Sequence, residues 1–328
     1  MSTDSLHKKI IIDTDPGIDD AMAIFYALAS GHLEVSGITT VFGNAPVDST
    51  TRNALRLMEI AGREDIPVAA GAARPLAMPY RGSADFVHGS DGQGNTTPDG
   101  LVLRSKAVAE RACDFIIRTV RSFPGEVTLV PLGPLTNIAL ALMLEPDIAA
   151  DIREIVLMGG NAFGPGNATP TAEANILNDP EAADIVFGAS CPVTMCGLDV
   201  TEKILMTGAD IDRIGSMNTP QSAHLAAILP FYRAFYRTWL KVDGIYVHDS
   251  TTISWLLHPE LFRTVQHPIR VDTSDGIGRG KTWPSRGTSA GEGPWQDRPK
   301  VNICVGVDGA AAVKYEMEHL GQCHTACV

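Results

Sequence analysis

The hydrophobic pattern changes period repeatedly along the chain, and each change marks an element. Residues 8–12 form a β-branched run without polar alternation, as expected of a strand buried on both faces of a parallel sheet. Pro16 and Gly17 turn the chain. Apolar residues then recur at Ala21, Ile24, Phe25 and Leu28, the spacing of one helix face, until Gly31 stops it. A second strand is predicted over 35–41, ending at Gly43-Asn44. The alternation continues with helix near 50–61, strand 67–70, helix near 106–122, strand 127–131 and helix 135–144. Strand 154–158, helix 180–187 and strand 193–196 follow, with a late strand over 301–307 and a closing helix over 310–320. This repeat predicts an α/β fold, an open and mostly parallel central sheet with helices on both faces.

Two connections, 77–100 and 159–178, are rich in Gly, Pro, Asn and Asp and exceed ordinary loop length, which points to a site. Residues 201–257 read as helical and aromatic, through Phe231, Tyr232, Phe235, Tyr236, Trp239 and Tyr246. The Gly-, Ser- and Pro-rich stretch 272–298 reads as a hairpin or surface excursion. With 328 residues, 45% hydrophobic and 20% charged, the chain fits one large globular domain better than two small ones. Its 26 basic and 38 acidic residues give a net charge of −12 without a basic patch, which argues against a nucleic-acid partner. Apolar runs are too short to span a membrane. The polar start, residues 1–9, lacks a signal-peptide core, and six cysteines without a CxxC pair read as buried or free thiols. A cytoplasmic location is expected.

In an open parallel sheet, ligands bind beyond the carboxyl ends of the strands. The polar residues at those ends are Asp13, Asp15 and Asn44, joined by the turns Leu132-Gly133-Pro134 and Gly159-Gly160-Asn161. The strongest signal is DTDPGIDD, Asp13 to Asp20, with four carboxylates in eight residues. A turn cap and the helix dipole account for part of this set. Four converging carboxylates repel one another and call for a cation. Oxygen-only donors suit calcium or magnesium rather than zinc. An EF-hand is excluded, because Pro16 interrupts the loop and Ile24 stands at its closing acidic position. The pair Asp13-x-Asp15 after a first strand also opens haloacid-dehalogenase-type magnesium phosphatases, which makes that class the alternative. Gly17, however, stands where those enzymes carry Thr or Val. Asn167, Glu173 and Asn175 offer groups suited to sugar hydroxyls, although the segment taken alone reads more readily as a polar surface loop. Asp249, ahead of a helix, reads on its own as an N-cap, with His248 as a bystander.

The blocks DTDPGIDDAMAI, ITTVFGN, VPLGPLTNIA, VLMGG, GNATPTAEANI and VHDSTTISWLLHPELF, in that order, resemble the inosine–uridine-type nucleoside hydrolases from about Ile10 to at least Val307. The resemblance implies a single domain over 1–328 with a late excursion near 272–298. It implies a calcium-dependent N-glycosidase that splits a ribonucleoside into base and ribose, used in purine or pyrimidine salvage and assembled as a homodimer or homotetramer. Asp15, Asp20, Asp249 and the Leu132 carbonyl would hold calcium, with the ribose 2′- and 3′-hydroxyls completing its shell. Asp19, Asn44, Asn167, Glu173 and Asn175 would bind the sugar, with Met158 lining it. Asp15 would be the general base for a calcium-bound water, and His248 would stand on the leaving-base side.

The chemistry of the residues agrees with that implication. An oxocarbenium-like transition state is stabilised by carboxylates near the sugar. His248, with an ordinary pKa near 6.5, suits a proton donor. Tyr232 and Tyr236, one helical turn apart, can stack on the base or donate a proton, or serve only as core aromatics. His88, in HGSDGQG, can reach the site from a mobile lid. Two places depart from the family pattern. Ala174 stands where relatives often carry an aromatic residue, and Ser250-Thr251 stand where Pro-Cys is common. The tail CHTACV has no reading, and the choice between purine and pyrimidine stays open. A ribonucleoside-binding protein without catalysis is a third reading, which the presence of Asp15 opposes.

Overall fold

The structure, a computed structural model, describes residues 7–287 and 293–322. Positions 1–6, the excursion residues 288–292 and the tail CHTACV lie outside it. Eleven strands are described: β1 Lys8–Thr14, β2 Leu33–Thr40, β3 Val68–Ala70, β4 Val127–Pro131, β5 Glu154–Met158, β6 Val193–Cys196, β7 Leu205–Thr207, β8 Gly244–Tyr246, β9 Phe262–Val271, β10 Thr282–Pro284 and β11 Lys300–Val307. The helices are α1 Ile18–Ala29, α2 Val47–Ala61, α3 Asp85–His88, α4 Ala112–Ser122, α5 Thr136–Leu144, α6 Ala174–Asn178, α7 Pro180–Phe187, α8 Leu198–Thr201, α9 Gly208–Ile214, α10 Pro220–Phe235, α11 Ser250–Leu257 and α12 Gly309–Gly321. A π-helical turn, Tyr236–Leu240, continues α10.

Nine strands form one sheet in the order β10-β9-β11-β6-β5-β4-β1-β2-β3. The strands from β6 through β3 run parallel, and β11 is parallel to β6, whereas β9 pairs antiparallel with β11 and β10. The mostly parallel α/β sheet expected from the alternation is therefore present. Side chains alternate across a strand, so β1 feeds both cores. Ile10 and Ile12 pack with α1 and α10 on one face, while Ile11 packs with α4 and α5 on the other. All three isoleucines are fully buried, each worth about 1.5–3 kcal/mol of transfer free energy.

Chain order reverses between β1 and β4, so the carboxyl ends of β1, β2 and β4 meet at the switch point, the place where open α/β sheets bind ligands. Three expectations change. Helix near 106–122 begins only at Ala112, because residues before it run extended and Val108 bridges to Ala69. Strand β9 lay unseen in a stretch whose partly exposed, mixed polar faces hide the period. The region 201–257 is helical but also holds β7 and β8, which pair antiparallel with each other. Within the described part of the excursion, β10 folds back antiparallel on β9.

Candidate active site

At the end of β1 the chain turns through Pro16 and Gly17 into α1, whose N-terminus favours the negative charges of Asp19 and Asp20. Asp20 accepts hydrogen bonds from the Thr14 hydroxyl, the Gly17 N–H (2.8 Å) and the Asn44 amide (3.1 Å). The Asn44 N–H donates to Asp15 Oδ2 at 2.6 Å, while Asp15 Oδ1 is buried with no partner. A side chain at Gly43 or Gly133 would strike the Asp15 carboxylate, so both positions must be glycine for it to sit there. Asp249, buried at the start of α11, makes no capping bond with its side chain. Its carboxylate instead gathers with those of Asp19 and Asp20, one oxygen of each lying within 4.8 Å of the others.

Burial raises all of these carboxyls above their usual range. Asp15 and Asp249 rise well above it, with like charges on their neighbours adding to the rise, and Asp19 reaches about 6. Among the described residues no Lys or Arg forms an ion pair with them. His88 lies beside them, its Nδ1 3.8 Å from Asp19 Oδ1, and burial depresses its pKa to about 4. The buried, oxygen-only group of Asp19, Asp20 and Asp249 fits a hard divalent cation, whereas Asp15, with an orphaned Oδ1 like that of Asp19, stands outside this 4.8 Å group. Calcium–oxygen distances of about 2.3–2.6 Å let two ligand oxygens stand up to about 5 Å apart.

Asp13 does not join this group. It shares the sheet face of Ile11 and accepts from Thr39 Oγ1 (2.6 Å) and Asn137 Nδ2 (2.8 Å), a structural role beneath the site.

The sugar-side residues converge from β4, β5 and the loop after β5. Asn175 Nδ2 donates to the Leu132 carbonyl at 2.6 Å and to Met158 O at 3.2 Å. That carbonyl keeps a second lone pair for a ligand. Glu173 is buried and caps α6, accepting from the N–H groups of Asn175, Ile176 and Gly160. Asn167 is exposed, and its side-chain oxygen accepts from the Ala174 N–H at 3.0 Å. At position 174 only the backbone is engaged. Ser250 donates to the buried Glu316 at 2.6 Å, a bond that proline could not make.

On the other side of Asp19, four polar side chains form a continuous hydrogen-bonded chain. Tyr232 Oη donates to Asp19 Oδ2 at 3.1 Å and lies 3.3 Å from Tyr236 Oη. Tyr236 Oη lies 3.0 Å from His248 Nε2, and His248 Nδ1 lies 2.8 Å from Thr201 Oγ1. The two tyrosines are buried core aromatics whose hydroxyls are also hydrogen-bonded. Burial takes His248 from its ordinary 6.5 down to about 4, so the imidazole is neutral at pH 7. His88 is fixed in place. It is buried, its Nδ1 accepts from the Ile18 N–H at 3.2 Å, and its ring stacks on Tyr232 at 5.4 Å. The loop behind it is braced by Gln93, whose amide donates to Gly17 O at 2.8 Å and whose oxygen meets His224 Nε2 at 2.9 Å. Neither Gln93 nor Thr201 carried a sequence signal, since each acquires its partner only through the fold.

Known proteins resemble this chain over nearly its whole length. A family model described as inosine–uridine preferring nucleoside hydrolase matches residues 10–314. The probable uridine nucleosidase 2 of Arabidopsis thaliana is 44% identical over 319 residues, covering 95% of this chain and 97% of that protein. The pyrimidine-specific ribonucleoside hydrolase RihA of Shewanella woodyi is 44% identical over 280 residues, 84% of this chain and 87% of the relative. The solved plant nucleoside hydrolase PpNRh1 superposes with a TM-score of 0.92 at 41% identity, covering 96% of this chain and 99% of that one. These matches set the phosphatase alternative aside. Sequence, fold and length agree in one assignment: this chain belongs to the inosine–uridine-preferring nucleoside hydrolase family.

Proposed function

We propose that the protein hydrolyses the N-glycosidic bond of ribonucleosides, uridine foremost, to free base and ribose, with calcium held at the acidic turn. In balance, the C1′–N bond breaks, the oxygen of water bonds to C1′, and one proton reaches the base. The names of the Arabidopsis and Shewanella relatives support uridine and pyrimidine ribonucleosides as the first substrates to try.

Asp15, Asp20, Asp249 and the Leu132 carbonyl would hold the ion. When bound, it supplies charge that offsets the carboxylates and fixes vicinal hydroxyls, which disfavours 2′-deoxy substrates. Asp19, Asn44, Asn167, Glu173 and Asn175 bind ribose, with Met158 against it. Asp15 takes the proton of the attacking water, and its unpartnered Oδ1 supports that role. The surrounding carboxylates stabilise positive charge as it develops on the sugar. Tyr232, Tyr236 and His248 hand a proton to the leaving base, beside His88.

One observation carries this reading. Asp19 belongs both to the acidic cluster and to the phenol–imidazole chain, so the sugar-side and base-side groups meet at a single residue. The reading includes a cytoplasmic homodimer or homotetramer. The free, buried thiols Cys113, Cys191, Cys196 and Cys304 support a reducing compartment, and exposed Phe86 and Trp239 offer apolar surface for self-association. No helix among the described residues is long and apolar enough to cross a membrane.

Proton NMR of a uridine digest in phosphate-free buffer tests the reaction class. Uracil and free ribose are expected. Cleavage only when phosphate is added, giving ribose 1-phosphate, would contradict hydrolysis.

A further inference from the structure

The chain Asp19–Tyr232–Tyr236–His248–Thr201 contains four hydrogen bonds. It also holds four hydrogens able to make them: one on each tyrosine, one on the threonine and one on a neutral imidazole. Tyr232 gives its hydrogen to the Asp19 carboxylate. The Tyr232–Tyr236 contact can then be bridged only by the hydrogen of Tyr236. Tyr236 must in turn accept from His248 Nε2–H, which leaves His248 Nδ1 bare to accept from the Thr201 hydroxyl.

The opposite tautomer fails this count. With the proton on Nδ1, Tyr236 would donate to Nε2, so no hydrogen would stand between the two phenol oxygens. The hydroxyl hydrogen of Thr201 would also have no acceptor among its contacts. Thr201, Tyr232 and Tyr236 are almost completely buried, so water does not substitute for the missing partner. An imidazolium fails the count as well, because its Nδ1–H would donate to Thr201 Oγ1 and leave the threonine hydrogen without an acceptor.

We propose that Thr201 is a positioning residue that fixes His248 as the Nε2–H tautomer and so points every proton of the chain toward Asp19, the residue shared with the acidic group. Thr201 ends α8, directly beyond β6, and is held there by its N–H bond to Gly197 O. That site is far in sequence from α10 and from the His248-Asp249 pair. The inference rests on the proposed role of the chain in leaving-group protonation, but its first test does not.

The test is nitrogen-15 NMR of the full chain with labelled histidine, at pH 7. The chain has nine histidines, and the His248 signals are assigned by their loss in His248→Gln. A protonated Nε2 and an unprotonated Nδ1 are expected, and a protonated Nδ1 overturns the proposal whether or not the protein hydrolyses nucleosides. Thr201→Val keeps the shape and removes the donor, so its His248 spectrum should lose the single-tautomer pattern, and Thr201→Ser should restore it.

Kinetics add a second readout. In Thr201→Val, kcat on uridine should fall about tenfold, part of the roughly 10²–10⁴ that positioned proton transfer supplies, with KM little changed. A p-nitrophenyl riboside, whose leaving group departs without a proton, should be turned over as by the parent. Equal losses on both substrates overturn the positioning role. If Thr201→Val does not fold, the tautomer of the unaltered protein decides.

Discussion

Asp19 and Tyr232 are joined by a hydrogen bond of 3.1 Å between a phenol on α10 and a carboxylate in the first turn of α1. The two residues are 213 positions apart, and the bond ties the acidic turn to the helix that carries the second phenol, Tyr236. Their pKa values reflect the closeness. Burial, followed by the charge of Asp19, holds the Tyr232 hydroxyl well above its usual range, so it remains a proton carrier at neutral pH.

Removing that carrier should damage one step selectively. Tyr232→Phe is expected to lower kcat on uridine by about 10²-fold, within the general-acid range, while a p-nitrophenyl riboside keeps near-parental turnover. Steady-state kinetics on both substrates check this, and equal losses on both would assign Tyr232 to packing.

The water side depends on Asp15. Asp15→Asn keeps an oxygen to accept from the Asn44 N–H and should fold, while turnover of uridine drops by about 10³-fold or more. A circular-dichroism spectrum like the parent's, together with stopped turnover, is the expected pair of results. Near-full activity would remove Asp15 as the base.

Much of this arrangement was legible in the sequence. The unbroken Ile10-Ile11-Ile12 run named a central strand because only a strand covered on both faces tolerates it, and DTDPGIDD named the turn that follows. Local pattern could not assign side chains to sheet faces once the strand ran beyond Ile12. Asp13 therefore looked like a fourth member of the acidic group, although strand alternation turns it toward Asn137. The β9 strand was hidden because its partly exposed faces mix polar and apolar positions without a period. Burial of His248 was equally invisible, so an ordinary imidazole pKa was expected where the fold lowers it to about 4. Thr201 joins the site through α8, and no spacing in the sequence encodes that meeting.

Beneath the site, Asn137 Nδ2 donates to Asp13 Oδ1 (2.8 Å) and Thr40 O (2.9 Å), and its oxygen accepts from the Ala72 N–H. Asn137→Ala strands these buried groups and should cost about 1–3 kcal/mol of stability. The denaturant midpoint measures it, and an unchanged midpoint would show that the network relaxes freely.

Glu316 supplies a pH signature of its own. Burial raises its carboxyl from 4.5 to about 7, against the lowering effect of the Ser250 hydroxyl. Between those values the unfolded chain holds fewer protons than the folded one, so stability falls as pH rises through this window and stays reduced above about 7. Glu316→Gln still accepts from Ser250 and cannot ionise. Relative to the parent, it should gain about 1–3 kcal/mol between pH 5 and pH 8. Parallel stability profiles for the two proteins would show that Glu316 does not titrate in this range.

The central claim is metal-dependent hydrolysis at the acidic turn. Reducing-sugar release from uridine, inosine, cytidine and adenosine, measured as purified, after exhaustive chelation and after calcium is returned, tests it most directly. The account predicts ribose release, greatest from uridine, that chelation abolishes and calcium restores. Release that survives chelation, or none from any of the four nucleosides, would contradict it.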